Sequence, residues 1–396
     1  MRKHNTVIGL GFGDEGKGLM TDFLCQRFPY ALVTRFSGGQ QAGHTVTTED
    51  TKHVFSNLGS GTLRGNPTYW SKFCTFDPVG FLNEITIVKE KLKRSMPTIW
   101  IDALSPITTP YEILHNRKND VSNGTCGVGV GSTIKREEEM YSLTFGDIYF
   151  EDIFSIKLQM LATHYPELKD RVDLSDFLDA VKQIKNLEFV KVTDGVPELG
   201  YYIFESSQGL MLDQNIGFFP HVTRSNTDIT NIKKLDMSVG DIWFVTRAYQ
   251  TRHGNGPMTT EHIPHNILLD PEETNFSNEY QGAFRRGILD VSLLEYAIKK
   301  NPNLYAYKYK SRFNLTITCL DHIENEWKFL YEGKVHEFKN EKEFVCAIGR
   351  ILEIRNVHLS RCNRSDKLEK LELDPCDVCH YISSTKDFYF HESLSK

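Results

Sequence analysis

The sequence predicts an α/β protein with a mostly parallel, P-loop-type central sheet flanked by helices. Three observations carry that expectation. A short apolar run, Val7-Ile8-Gly9-Leu10, leads into Gly11-Phe-Gly-Asp-Glu-Gly-Lys-Gly18, after which Leu19, Met20, Phe23, Leu24 and Phe28 recur at helical spacing. The loop fits G-x-x-x-x-G-K, whose backbone N–H groups and lysine cradle phosphates between a strand and a helix. Strand-like and helix-like stretches then alternate along the 396 residues, as in parallel strands joined by crossover helices. Glycine, threonine and asparagine also gather in a few loops that follow strands, the edge at which open α/β sheets bind ligands.

Taken in order, Tyr30 to Thr34, Thr98 to Ile101, Tyr201 to Phe204, Asp241 to Val245 and Leu315 to Leu320 read as further strands. Helical patterns cover Ser175 to Lys185, Val291 to Lys300 and Lys342 to Ile354, and Trp327 to Phe338 reads as a hairpin around Glu332-Gly333. The stretch from Glu138 to Asp194 has few special residues and is expected to form a helical excursion from a single domain spanning 1–396. No repeat, low-complexity tract or linker interrupts the chain, and the tail after Phe390 is polar.

Composition narrows the class. Hydrophobic residues at 40% and charged residues at 25% are ordinary for a globular enzyme. The net charge of -6 argues against duplex nucleic acid as the main partner. No apolar run approaches the roughly 18–20 residues of a membrane span. The first strand begins almost at the N-terminus, so no signal peptide is expected. Eight cysteines in a chain of this length do not suggest a disulfide scaffold, and a reducing cytoplasm is the expected setting.

The phosphate loop departs from its usual form at one residue. The position after the lysine normally carries Ser or Thr, whose hydroxyl ligates Mg²⁺; Gly18 has no ligand to give, and Asp14 within the loop is the candidate oxygen donor. A second loop, Ser37-Gly-Gly-Gln-Gln-Ala-Gly-His-Thr45, places His44 between small residues just beyond a strand. Asn123-Gly-Thr-Cys-Gly-Val-Gly-Val-Gly-Ser132 offers many free N–H groups and reads either as a second phosphate site or as a flexible lid. Ser206-Ser-Gln-Gly209 and His221-Val-Thr-Arg-Ser-Asn-Thr227 add side chains suited to phosphate or base contacts. Thr251-Arg-His-Gly-Asn-Gly-Pro257 and Gln281-Gly-Ala-Phe-Arg-Arg-Gly287 bring arginines whose planar forks suit a carboxylate.

In this order and spacing the loops resemble one family, adenylosuccinate synthetase. Its W-G-D-E-G-K-G is matched by Phe12 to Gly18, and its G-G-x-N-A-G-H-T by Gly38 to Thr45 with Gln41 in place of Asn. Its E-G-A-Q-G-x-x-L-D is matched by Glu205 to Asp213, its P-x-V-T-S-S-N-T by Pro220 to Thr227, and its R-V-G-x-G-P-x-x-T-E by Arg252 to Glu261. The resemblance runs from about residue 5 to about 325 and implies the adenylosuccinate synthetase fold. The implied activity is a ligase that joins L-aspartate to C6 of IMP with GTP and Mg²⁺, through a 6-phosphoryl intermediate.

By that resemblance Asp14 removes the N1 proton, His44 acts as a cationic donor to the phosphoryl group in transit, and Lys17 completes the catalytic set. The triphosphate would lie along Gly13, Glu15, Gly16, Lys17, Gly18, Gly43, His44 and Thr45, with Asp321 reading guanine. The purine monophosphate would meet Asp14, Gln41, Thr125 or Cys126, Gln208 and Thr223, and the amino acid Thr259, Arg285 and Arg286. Asp14 and the carbonyl of Gly43 would hold Mg²⁺. The family is homodimeric, and its sites borrow a cation from the partner subunit.

The departures are specific. Thr125 to Ser132 has lost a threonine and an arginine of the family pattern, and Met140 falls where the partner-reaching arginine is expected, with Lys135 or Arg136 as possible replacements. Thr318-Cys-Leu-Asp321 lacks the lysine of T-K-L-D. These losses are similar to those of the divergent phage synthetases that act on dGMP with ATP or dATP, whereas retention of Asp14 favours IMP. A non-catalytic P-loop nucleotide switch would need Lys17 but not Asp14, His44 and Arg285 together. Cys376-Asp-Val-Cys-His380 fits haem attachment or a zinc clip with Cys362 on spacing alone, and surface cysteines otherwise.

Overall fold

A computed structural model of the chain describes residues 4–119, 125–269, 280, 282–308 and 312–373. Gln281, the Cys376–His380 segment and the polar tail lie outside the described residues. From the first strand β1 (Asn5–Gly9) the chain passes through the phosphate loop into α1 (Lys17–Arg27), then β2 (Leu32–Arg35), the hairpin β3 (His44–Thr47) and β4 (Lys52–Phe55), and β5 (Thr68–Trp70). α2 (Pro78–Lys91) leads to β6 (Ile99–Asp102), α3 (Pro110–Asn119) and α4 (Val130–Glu138). Helices α5 (Glu151–His164) and α6 (Ser175–Lys185) precede β7 (Val190–Thr193) and β8 (Tyr202–Gly209). α7 (Thr230–Lys234), β9 (Asp241–Arg247), β10 (Tyr249–His253), β11 (Phe284–Asp290), α8 (Val291–Lys299) and α9 (Pro302–Tyr307) follow. The described chain ends with β12 (Phe313–Thr318), β13 (Trp327–Tyr331), β14 (Lys334–Phe338), α10 (Glu341–Ile351), β15 (Asn356–Leu359) and β16 (Glu369–Glu372).

Ten strands form the central sheet in the order β16-β15-β12-β9-β1-β8-β2-β5-β6-β7. Every neighbouring pair is parallel except β15 with β16. β1 lies inside, and the chain crosses to opposite sides of it to make β8 and β9. The ends of β1, β2, β8, β9 and β12 therefore open onto one edge, at the switch point where such sheets bind ligands. Burial on both faces explains the continuous apolar runs Val7-Ile8 and Ile242-Trp-Phe-Val245. A smaller sheet, β10-β11-β13-β14, stands beside the large one.

Local chemistry sets most boundaries. α6 buries Phe177, Ala180, Val181 and Ile184 on one stripe. α8 starts where Asp290 accepts from the N–H groups of Ser292 and Leu293. The β13–β14 hairpin turns through Glu332 and Gly333 at φ 48° and 75°, the primed turn that matches strand twist. The last helix is shorter than its pattern: Asn340 caps it at Glu343, and Glu353 at φ 58° has left the helix. The second strand starts at Leu32 because Tyr30 points into solvent at 86% exposure. The segment 138–194 carries α5 and α6 and returns to the sheet as its edge strand β7. No helix among the described residues is long and apolar enough to cross a membrane.

Candidate functional site

The phosphate loop explains its own glycines. A Cβ on Gly18 would stand 2.8 Å from the carbonyl oxygen of Thr45 and 3.1 Å from the Cβ of His44. Strand β3 lies directly on the start of α1, so the usual Ser or Thr has no room there. The same crowding brings His44 and Thr45 against the lysine turn. Inside the loop the Glu15 carboxylate accepts from the N–H groups of Gly11 (3.1 Å) and Gly13 (2.8 Å) and from Lys17 Nζ (2.6 Å). A side chain on Gly9 or Gly209 would collide with that carboxylate. In this state Glu15 occupies the donors that the motif offers to phosphate.

Asp14 sits at φ 60°, a left-handed conformation that Asp tolerates better than most residues. Arg247 Nε donates to its carbonyl at 2.5 Å, and His253 Nε2 lies 3.3 Å from its carboxylate. Burial pushes the carboxyl up, but the His253 hydrogen bond and the charges of His253, Arg247 and Lys17 outweigh it, leaving Asp14 below its ordinary value of 3.8. It is ionised at neutral pH and 23% exposed, an acceptor open to a ligand.

His44 is held by a residue at the end of another strand. Its Nδ1 lies 2.8 Å from Glu205 Oε1, and Glu205 also accepts from the N–H (3.1 Å) and hydroxyl of Ser60. Burial lowers the histidine to about 4; Arg35 and Lys17 push the same way, against Glu205. For Glu205, burial raises the carboxyl, yet His44, Arg35 and the Ser60 hydroxyl bring it down to about 2. Glu205 is therefore the ion, and Nδ1–H donates to it. His44 Nε2, buried and without a hydrogen-bond partner, then carries the lone pair of a neutral ring. Burial thus favours the neutral ring here, and the charge that a nearby anion would add pushes the histidine the other way, toward the cation.

The remaining loops are tied to one another. Gly38 N–H donates to Ser225 Oγ (3.0 Å), and Gln40 Nε2 to the carbonyl of Val128 (3.0 Å), joining the 37–45 loop to the segments that carry Thr223 and Thr125–Cys126. The Asp14 charge raises the Cys126 thiol, after burial, to about 11. Gln208, at φ 61°, lies beside Gly13. Gln41 Oε1 and Gln208 Oε1 are buried without partners, two acceptors waiting for donors. Thr125 Oγ1 donates to Asn116 Oδ1 (3.1 Å), and Thr223 N–H to the carbonyl of Leu212 (2.8 Å), leaving the Thr223 hydroxyl outside that bond.

The arginine loop divides its labour. Arg252, over the Phe12 ring at 4.2 Å, donates to the carbonyls of Pro257 and His221. Arg285 pairs with Glu261 (2.7 Å) and donates to the carbonyls of Gly254 and Gly256. Arg286 packs on Phe284 and makes no ion pair among the described residues. The Thr259 hydroxyl donates to Asp290 at 2.7 Å. Asp321, 40% exposed, follows β12 next to the phosphate loop, where Thr318 Oγ1 donates to the Glu15 carbonyl at 2.8 Å.

Of the two cations that could stand in for the family arginine, Arg136 is fully buried, paired with Glu112 at 3.0 Å and donating to the carbonyls of Tyr141 and Ile107. Lys135 remains exposed on α4, and Met140 is 84% exposed at φ 69°.

No group of three His, Cys, Asp or Glu side chains among the described residues could enclose a metal ion. Asp14, an ionised carboxylate, is the kind of oxygen donor that suits a hard cation keeping water and phosphate oxygens as its other ligands, the habit of Mg²⁺.

The adenylosuccinate synthetase family profile matches residues 6–324. The adenylosuccinate synthetase of Buchnera aphidicola subsp. Baizongia pistaciae is 30% identical over 370 residues, covering 85% of this chain and 82% of its own. The structure of fully ligated adenylosuccinate synthetase from Plasmodium falciparum matches with a TM-score of 0.73 at 18% identity, covering 92% of this chain and 99% of its own. The succinoaminodeoxyadenylate synthetase of cyanophage S-2L, bound to dGMP and dATP, matches with a TM-score of 0.63 at 15% identity, covering 94% and 96%. At such identities the two structural matches speak for the fold.

Proposed function

The chain belongs to the adenylosuccinate synthetase family, a C–N bond-forming, nucleoside triphosphate-dependent ligase, and from that premise we propose that it joins L-aspartate to C6 of IMP with GTP. The observation that carries this reading is the meeting of an ionised Asp14 and an unpartnered His44 Nε2 at the lysine turn of one phosphate loop. Phosphoryl transfer needs positioned groups and neutralised charge more than covalent chemistry. Asp14 accepts the N1 proton, O6 attacks the γ-phosphorus, and the nucleoside diphosphate leaves. His44 Nε2 takes up a proton against the incoming phosphate charge and donates to the phosphoryl group. The amine of aspartate then displaces phosphate from C6.

The chain's other residues bind and orient. Gly13, Gly16, Lys17, Gly18 and Thr45 line the triphosphate, and Glu15 yields its donors to it. Gln41, Thr125, Cys126, Gln208 and Thr223 hold the monophosphate nucleotide. Arg286 takes a carboxylate of aspartate, within a loop that Arg285 and Thr259 shape. Asp14 and the Gly43 carbonyl would hold Mg²⁺, which supplies charge neutralisation when bound.

Specificity gives the test. A pocket without an acceptor for the guanine 2-amino group leaves a buried donor unpaired, a cost of about 1–3 kcal/mol. Asp321 is an acceptor for the two N–H groups on guanine's edge and repels the N1 lone pair of adenine. Phosphate release with L-aspartate and Mg²⁺, crossing IMP, GMP and dGMP against GTP, ATP and dATP, is expected to select IMP with GTP. A preference for dGMP of about tenfold or more in kcat/KM installs the phage-type reaction instead.

The same proposal includes a homodimer in a reducing cytoplasm, in keeping with the free thiols of the described cysteines. With Arg136 buried, Lys135 is the candidate to cross the interface. Mixing Asp14→Asn and Lys135→Ala subunits is expected to restore activity in hybrids. Hybrid dimers that form without regaining activity remove Lys135 from the neighbouring site.

A further inference from the structure

Asp14 stands in the middle of a glycine loop, between Gly13 and Gly16 at φ 96° and 97°, where the backbone alone holds a side chain loosely. Its carbonyl is anchored by Arg247. Its carboxylate has one ion-pair partner among the described residues, His253. That histidine stands on a rigid element. It closes β10, lies opposite Phe284 in the register with β11, and packs its ring on Phe284 at 4.6 Å. Arg247 and Arg286 lie over the same phenylalanine at 5.7 and 5.2 Å, and the Gly254 N–H donates to Ala283. The imidazole is 12% exposed and so has little room to turn away.

We propose that His253 is the positioning residue for Asp14, its Nε2–H holding the carboxylate from one side so that its plane is fixed toward the substrate's N–H. The proposal rests on the reading of Asp14 as the base. An ionised carboxylate only accepts, so Nε2 is the donor. The resemblance pattern R-V-G has valine at this place, and an isopropyl group cannot donate. Reaction rates respond steeply to such placement, since a displacement of about 1 Å can cost ~10²-fold.

Asp14→Asn and His253→Val are compared with the wild-type chain in the full reaction, with melting temperatures recorded. His253→Val is expected to lower kcat about 10- to 100-fold, the scale on which outer partners of reacting groups act, with KM for the triphosphate unchanged. His253→Gln, which keeps an N–H donor, recovers most of that loss. In the Asp14→Asn background His253→Val has no further effect, the non-additivity of two residues acting as one. His253→Leu, closer to imidazole in volume, carries the same expectation where the valine variant folds poorly. Wild-type kcat in the His253 variants beside a crippled Asp14→Asn sinks the positioning role and leaves the proposed function standing. Near-normal turnover in Asp14→Asn removes the base itself and overturns both.

Discussion

Asp14→Asn is expected to lower kcat by ~10²–10⁴-fold, the range of a general base, with the fold and melting temperature kept. The amide has nearly the shape of the carboxylate, so the left-handed loop conformation and the Arg247 contact to the backbone carbonyl survive. What disappears is the charge. An amide oxygen can still accept from a purine N–H, but it does not take the proton, so O6 never gains the electron density to attack phosphorus. Steady-state kinetics at saturating substrates, with circular dichroism as the control, check this. A variant with near-normal turnover removes Asp14 from the mechanism.

His44→Asn carries the second large effect, a fall in kcat of ~10²–10³-fold, because it removes a donor aimed at charge that develops during transfer. The Glu205 contact makes a finer test. Glu205→Gln leaves Nδ1 a partner but no longer dictates that Nδ1 bears the proton, so Nε2 is less available to take one up against phosphate. The expected loss is smaller, about 10–100-fold, the usual cost of an outer partner that sets tautomer and ring orientation. For His44→Asn, unchanged kcat with a raised KM makes the residue a binding group and not a participant in transfer.

Much of the fold was legible because its signals are local. The apolar run before Gly11, the stripe of α6 and the Glu332-Gly333 turn each depend on neighbours within a few residues. What escaped depends on partners far along the chain. The hairpin β3–β4 is four residues a strand and half polar, and only its packing on α1 marks it. The β10–β11 ribbon is rich in arginine and histidine and reads as a ligand loop until its pairing is seen.

The site followed the same rule. Asp14, Lys17 and His44 stand out as odd residues in glycine loops. Glu205 was visible as the first residue of a matched motif, yet its link to His44 spans 161 positions. His253 gave no signal of its own, because histidine in an arginine-rich strand is unremarkable without the aspartate it touches. Arg136, a cation on a helix of the right age in the chain, looked available until its burial against Glu112 was known.

The Glu15 carboxylate, lodged among the loop's own N–H groups, is a tethered anion that any phosphate entering the loop has to displace. A tethered anion competes at an effective concentration of the order of millimolar or more, set by the chain and not by the solution. Stray inorganic phosphate meets that competitor on every encounter and gains nothing beyond the exchange of one anion for another. On the proposed function, a nucleoside triphosphate has a base and ribose to place outside the loop, which inorganic phosphate lacks, and those added contacts would tip the exchange. One side chain of the loop thus sets, on the proposed function, a threshold that favours a nucleotide over a small anion.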